Sequence, residues 1–302
     1  MRFIFSLFQV AIIAGLAAAS VLAQAADERL RPFLLANSNY ETFETAIEQT
    51  SSRLTEGGFR VIGDYAPYDK AHIIIFTSDA LQTLAAKTEL GGFGAVLRAA
   101  VTEVDGDLQV SYVNPYYMAK AYRLDGDITP IAEQLDKELG PVEPFGSKKG
   151  VKTKSLPKYR YMFTTERFNE IYELGEFADQ SMALAKVTSN LAENNRGLAQ
   201  VYQLTLPGDQ GVLIGVAMAP LDEDDKYYND VFQMSVVDIA PVRSTAYLPY
   251  EILISGGKVQ ALHMRFRMAV HFPDLSMMGK HSFMTLMPSP TAIEKALKTL
   301  AE

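Results

Sequence analysis

The chain has 302 residues, 48% hydrophobic and 21% charged, with no cysteine, no tryptophan and a formal charge of −8 at pH 7. That is enough apolar chain for two domains with sizeable cores. Without cysteine there can be no disulfide, thiolate metal site, cysteine nucleophile or lipobox lipidation. An acidic chain with no basic block also argues against nucleic acid or anionic lipid as a partner.

In chain order, Met1-Arg2 is a short positive start, Phe3 to Leu22 is an uncharged, predominantly apolar run, and Ala23-Gln24-Ala25 precedes a polar stretch. This is the three-part pattern of a cleaved signal peptide over residues 1–25, and it predicts a periplasmic or secreted protein. A run of about 20 apolar residues would also anchor the chain if left uncleaved. No later segment is long and apolar enough to span.

The first half, residues 26–141, opens with capping-box spacing at Ser38 and Glu41. The helix that follows carries Phe43, Ile47, Ser51 and Leu54 and stops at Gly57-Gly58. Strands are expected at Phe59–Tyr65 and His72–Thr77, then a helix at Asp79–Lys87. A hairpin of Ala95–Val104 and Leu108–Val113 is set around Asp105-Gly106-Asp107. A closing helix runs from Thr129 to Leu139. Residues 142–158, rich in proline, glycine and lysine, read as a linker.

The second half, residues 159–302, repeats the order more loosely. A helix is predicted at Asp179–Glu193, ended by Asn194-Asn195-Arg196-Gly197. Strands follow at Leu198–Leu206 and Val212–Ala219, then a hairpin of Tyr250–Ile254 with Val259–His271, and a last helix from Ser289-Pro290. Met162–Gly175 and Asp222–Asp238 are additions. The expected fold class is α+β: two tandem copies of a small domain, each an antiparallel-rich sheet with helices on one face.

Val110-Ser111-Tyr112-Val113-Asn114-Pro115-Tyr116-Tyr117-Met118-Ala119, after a hairpin and before a terminal helix, resembles the signature of the bacterial domain-of-unknown-function 302 family. The resemblance covers Tyr40 to Leu139. In the second half, Ala269-Val270-His271-Phe272-Pro273-Asp274 keeps its shape without the Ser-Tyr pair. It implies a small, self-associating α+β domain and no activity.

Chemistry concentrates in residues 263–287, which hold three of the four histidines and six of the twelve methionines. Read as a strand, this stretch places His263, Arg265, Arg267 and His271 on one face and Met264, Phe266, Met268 and Val270 on the other. The cationic row is the candidate site for an anionic group, with Tyr112, Tyr116 and Tyr117 as counterparts in the first copy. The competing reading is a solvated face paired with acids such as Glu251. Met277, His281 and Met284, at helical spacing, are the candidate ligands for copper, or for a His/Met-bound haem.

Other signals fall away. The Asp222–Lys226 acidic run departs from an EF-hand loop at Lys226, Tyr227 and Gln233, and Gly91–Gly94 lacks phosphate-loop spacing. With no hydrolase or protease motif, no catalytic residue is nominated. The expectation is a non-catalytic binding protein for a small anionic or amphipathic ligand. The alternatives are a copper or haem carrier and an assembly factor acting by self-association as a homodimer.

Overall fold

A computed structural model describes residues 28–302, except Ser38 and Asn195. The signal segment, the Ser38 cap and the Asn195 part of the helix stop therefore lie outside the described residues. The described chain begins with β1 (Arg29–Leu30) and β2 (Phe33–Ala36), followed by α1 (Phe43–Glu56). Thr42 caps α1: its hydroxyl accepts from the Thr45 N–H, while Thr45 Oγ1 accepts from the Thr42 N–H. This reciprocal pair satisfies two of the helix's orphan donors.

Next come β3 (Arg60–Tyr65), β4 (Ala71–Thr77), α2 (Asp79–Ala85), β5 (Leu97–Val104) and β6 (Asp107–Val113). Asp105 and Gly106, at φ 53° and 89°, form the two-residue loop that sets Val104 opposite Asp107. Left-handed backbone at both central positions matches the strand twist, so this turn fixes the register. α3 (Pro115–Ala121) begins immediately afterwards. The Asn114 side chain caps it by accepting from the N–H groups of Tyr116 and Tyr117, with proline at the first helical position. α4 (Thr129–Leu139) ends at Gly140, φ 61°.

The stretch expected as a linker is structured. β7 (Pro141–Phe145) pairs with β2, and β8 (Val151–Lys152) pairs with β1. Leu156, in the turn that follows, is fully buried. The backbone donors and acceptors of β2 and β1 hold this segment, which its proline and lysine content does not reveal.

The second half contains β9 (Ile171–Glu176), α5 (Gln180–Glu193), β10 (Leu198–Thr205), β11 (Val212–Met218), α6 (Asp230–Val237), β12 (Tyr250–Ser255), β13 (Lys258–Leu262), α7 (Met264–His271) and α8 (Ser289–Lys298). β9 lies within the stretch read as an addition. The fold class is α+β, with every ladder pairing antiparallel. The sheet orders are β3-β4-β5-β6-β2-β7 and β10-β11-β12-β13-β9. In both, a first strand and a helix precede a four-strand meander, and the first strand returns beside the last. α1 packs on the first sheet and α5 on the second.

The expected strand Val259–His271 is corrected: it ends at Leu262, and residues 264–271 are helical. His263 caps this helix, its Nδ1 accepting from the Arg265 N–H at 3.2 Å. The alternation of charged and apolar residues imitates a strand because α7 is buried on nearly every side. Of its eight residues only Arg265 is exposed, so the amphipathic signature of a surface helix is missing. Among the described residues, no helix is long and apolar enough to cross a membrane.

Candidate functional site

Helical geometry dismantles the cationic row. Residues four apart on a helix share a face, so Arg267 and His271 point together into the interior, where both are fully buried. Arg265 turns outward, with Nη1 2.9 Å from Glu166 Oε1. His263 sits at the cap, its ring 4.3 Å from that of Tyr172.

The inward face of α7 joins a charged cluster between the sheets. Arg98 on β5 donates from Nη1 to Glu251 Oε1 on β12 at 2.6 Å and from Nε to the Ala246 carbonyl at 2.8 Å. The Tyr202 hydroxyl donates to the same Glu251 oxygen at 3.0 Å. Arg267 lies over the rings of Tyr247 and Tyr250, 4.2 and 4.6 Å from their centroids, and donates to the carbonyls of Tyr247 and Pro249. His271 Nε2 is 3.4 Å from Arg98 Nη2. Burial, then the two facing guanidiniums, push the His271 pKa well below the ordinary imidazole value, so the ring is neutral. Glu251 does meet a cation across the fold, but the partner is Arg98 and the pair is buried, not solvated.

The tyrosines do not converge. The Tyr112 hydroxyl donates to Asp136 on α4 at 2.9 Å, and Tyr117 donates to the Val270 carbonyl of α7 at 2.8 Å. Tyr116 is half-buried against the core. These are packing and docking contacts.

The outward side of α7 faces a cleft of about 330 Å³ walled by Met162, Met264, Met277, Met284 and Met287, with Tyr161 and Phe283 at its back and Arg265 on its lining. The Tyr161 and Phe283 rings are 4.5 Å apart. Its far wall, residues 275–287, is braced by its own backbone. Met284 N–H donates to Met277 O at 3.2 Å and Phe283 N–H to Ser276 O at 2.9 Å. The Ser282 and Thr285 hydroxyls both bond the Gly279 carbonyl, and Gly279, at φ 107°, makes the turn. The Tyr161 hydroxyl ties the opposite wall to Leu275 O at 2.8 Å.

Met277 and Met284 therefore meet as expected, but His281 leaves the set. It lines a different cleft, its Nδ1 3.2 Å from the Val236 carbonyl. The helix assumed over these three residues does not form, because the segment turns at Gly279. Met162 and Met264 could not have been assigned to the cleft by spacing, since they come from other parts of the chain. Among the described residues, no cluster of three or more His, Cys, Asp and Glu side chains could hold a metal.

Three larger clefts, of about 570, 580 and 540 Å³, each carry charged lining groups that are already engaged, Arg196 with Asp225 in the last. In the first, Lys70 pairs with Glu103 at 3.0 Å. In the second, Arg31 is spent on the carbonyls of Pro144, Ser147 and Lys148, while Asp274 holds Ser147 and Lys148. The methionine cleft differs because its wall is apolar and unpartnered. Compared with family models, curated proteins and solved structures, the chain finds no match in any of the three.

Proposed function

We propose that this chain is an exported, non-catalytic binding protein for a small amphipathic anion, held in the methionine cleft with its charged end at Arg265. One observation carries the reading: five thioethers from separate parts of the sequence wall a single cleft that also presents a guanidinium. Methionine side chains re-pack around irregular apolar groups, and an arginine fork fixes a carboxylate or phosphate. The volume sits at the low end of the roughly 300–1,000 Å³ typical of small-molecule sites. Export rests on the apolar run Phe3–Leu22. The shared strand order of the two sheets supports a tandem duplication.

Glu166 limits the free charge of Arg265 and makes the site sensitive to pH. Burial holds the His263 pKa below the ordinary imidazole value, despite Glu166. In the neutral ring Nδ1 is an acceptor, with no proton to offer Glu166 Oε2 at 3.3 Å. Once protonated, His263 competes for Glu166 and releases Arg265, so anion binding tightens as pH falls below the ordinary imidazole range.

The test is titration of the purified chain with a fluorescent fatty acid, displaced by unlabelled decanoate. Saturable binding is expected, weakened about tenfold by Arg265→Leu and abolished by Met284→Glu. Absence of binding, or indifference to both substitutions, overturns the reading.

A Cu(I) carrier is the second reading, favoured by the same wall, because soft monovalent copper accepts thioether ligands alone. It would use Met277 and Met284 with Met162, Met264 or Met287, and not His281. No histidine lines the cleft, so the His/Met pair a haem takes is not assembled there. Stoichiometric silver(I) binding without fatty-acid binding would move the assignment to the metal.

A further inference from the structure

The methionines of this chain fall into two sharply different environments. Met118, Met218, Met234, Met264 and Met268 are 5% exposed or less, whereas Met162, Met182, Met277, Met278, Met284 and Met287 are 38–77% exposed. Four of the exposed six line the cleft, Met278 adjoins Met277, and Met182 lies apart on α5. Among the large apolar side chains left exposed in the described chain, six are methionine and one, Leu221, is leucine. An apolar wall requires only hydrophobic bulk, which leucine supplies without an oxidisable atom. Here the bulk comes from thioethers placed where a solvent-borne oxidant can reach them.

We propose that the cleft is a reversible methionine-oxidation site, and that sulfoxide formation at Met162, Met277, Met284 and Met287 expels the ligand; this rests on the amphipathic-ligand reading above. The oxidant is a peroxide or hypohalous acid. With hydrogen peroxide, a sulfur lone pair attacks one peroxide oxygen. The S–O bond forms as the O–O bond breaks, sulfur loses two electrons, and the second oxygen leaves as water after taking up a proton. A dithiol reductase reverses the change, supplying two electrons and two protons and releasing the oxygen as water.

Two physical effects then act against the ligand. Each sulfoxide is a strong acceptor that an apolar chain cannot satisfy, so covering it forfeits its hydration. Arg265, the one cation lining the cleft among the described residues, is drawn to the new oxygens and away from the ligand's anionic end. Met264 forms the cleft floor at 1% exposure and is shielded from the oxidant.

The experiment treats the purified chain with graded hydrogen peroxide, maps the added oxygen by peptide mass spectrometry, and measures fluorescent fatty-acid binding at each step. Oxygen is expected on Met162, Met182, Met277, Met278, Met284 and Met287 before the buried methionines. Affinity is expected to fall ~10-fold or more and to return with the two methionine sulfoxide reductases, one for each sulfur epimer. The variant M182L/M278L, which removes the two exposed methionines outside the cleft lining, should bind the probe and keep the full peroxide response. Unchanged binding by the oxidised wild type overturns the proposal, as does loss of the peroxide response in M182L/M278L. If the untreated chain fails to bind the probe at all, the ligand reading fails first and the gating proposal with it.

Discussion

α7 serves two regions of opposite character. Its inward face contributes Arg267 and His271 to a cluster in which buried charges meet carboxylate, carbonyls and aromatic faces. Its outward end contributes Met264 and Arg265 to a cleft whose apolar wall has no partner. Titratable residues alone would direct attention to the first region. Buried charges that meet a carboxylate, carbonyls and aromatic rings join the two sheets, while the exposed methionine wall is the surface that the proposed ligand would cover.

The largest expected effect falls on the buried region. Glu251→Gln leaves Arg98 and Arg267 facing each other without a counter-charge and should destabilise the fold by about 3–5 kcal/mol in denaturant unfolding. The double substitution Arg98→Leu with Glu251→Leu should recover most of that loss, since apolar replacement of a buried pair is close to neutral. A cost below about 1 kcal/mol for Glu251→Gln would mean that the cluster is hydrated and the contrast overstated.

Proton linkage gives a smaller effect. Burial raises Asp230 to about 7 and Asp238 to about 6. Asp230 faces the Tyr65 hydroxyl, the Met218 N–H and Arg267; Asp238 faces the Ser244 N–H, Thr245 and Arg243. A carboxyl whose folded pKa is raised contributes stability that is fully present below its unfolded value of 3.8 and is lost as pH rises through 6 and then 7. His271 acts in the opposite direction: its stabilisation is present above 6.5 and is lost as pH falls. His72 and His263, also held low by burial, act on the side of His271 but keep more solvent contact, so the two deeply buried carboxyls set the sign and stability should rise by about 1 kcal/mol from pH 8 to pH 5. Asp230→Asn should flatten most of that slope; a wild-type curve that falls with acidification would show His271 dominating.

The smallest expected effect sharpens the cleft side. Arg265→Leu should leave unfolding within about 0.5 kcal/mol of wild type, because an exposed ion pair contributes little, while weakening anion binding. A stability loss matching that of Glu251→Gln would make Arg265 part of the same structural unit and erase the distinction.

The sequence makes local chemistry legible and leaves long-range partnership obscure. Asp105-Gly106 specifies the first hairpin because φ above zero at both positions suits few other dipeptides. Asn114-Pro115 begins a helix within the motif, yet no such helix was expected there. α7 misleads because every residue but Arg265 is buried, so its periodicity counts as a strand's. Arg98 shows only as the one charge in an apolar run from Ala95 to Val101, and nothing local indicates Glu251, far along the chain, as its partner. The methionine concentration after residue 263 is visible in the sequence. That Met162 joins it and His281 leaves it depends on how loops 161–165 and 275–287 meet.

The placement of β2 bears on how the chain assembles. Synthesised ahead of the rest of its sheet, β2 has neighbours, β6 and β7, that end only at Val113 and Phe145. The first sheet stays incomplete until residue 145 has emerged, and β9 must likewise wait for β13, which ends at Leu262. Each half is thus a meander that forms from local pairings and closes by capturing a strand made much earlier, so closure of distant segments, not hairpin formation, should set the folding rate.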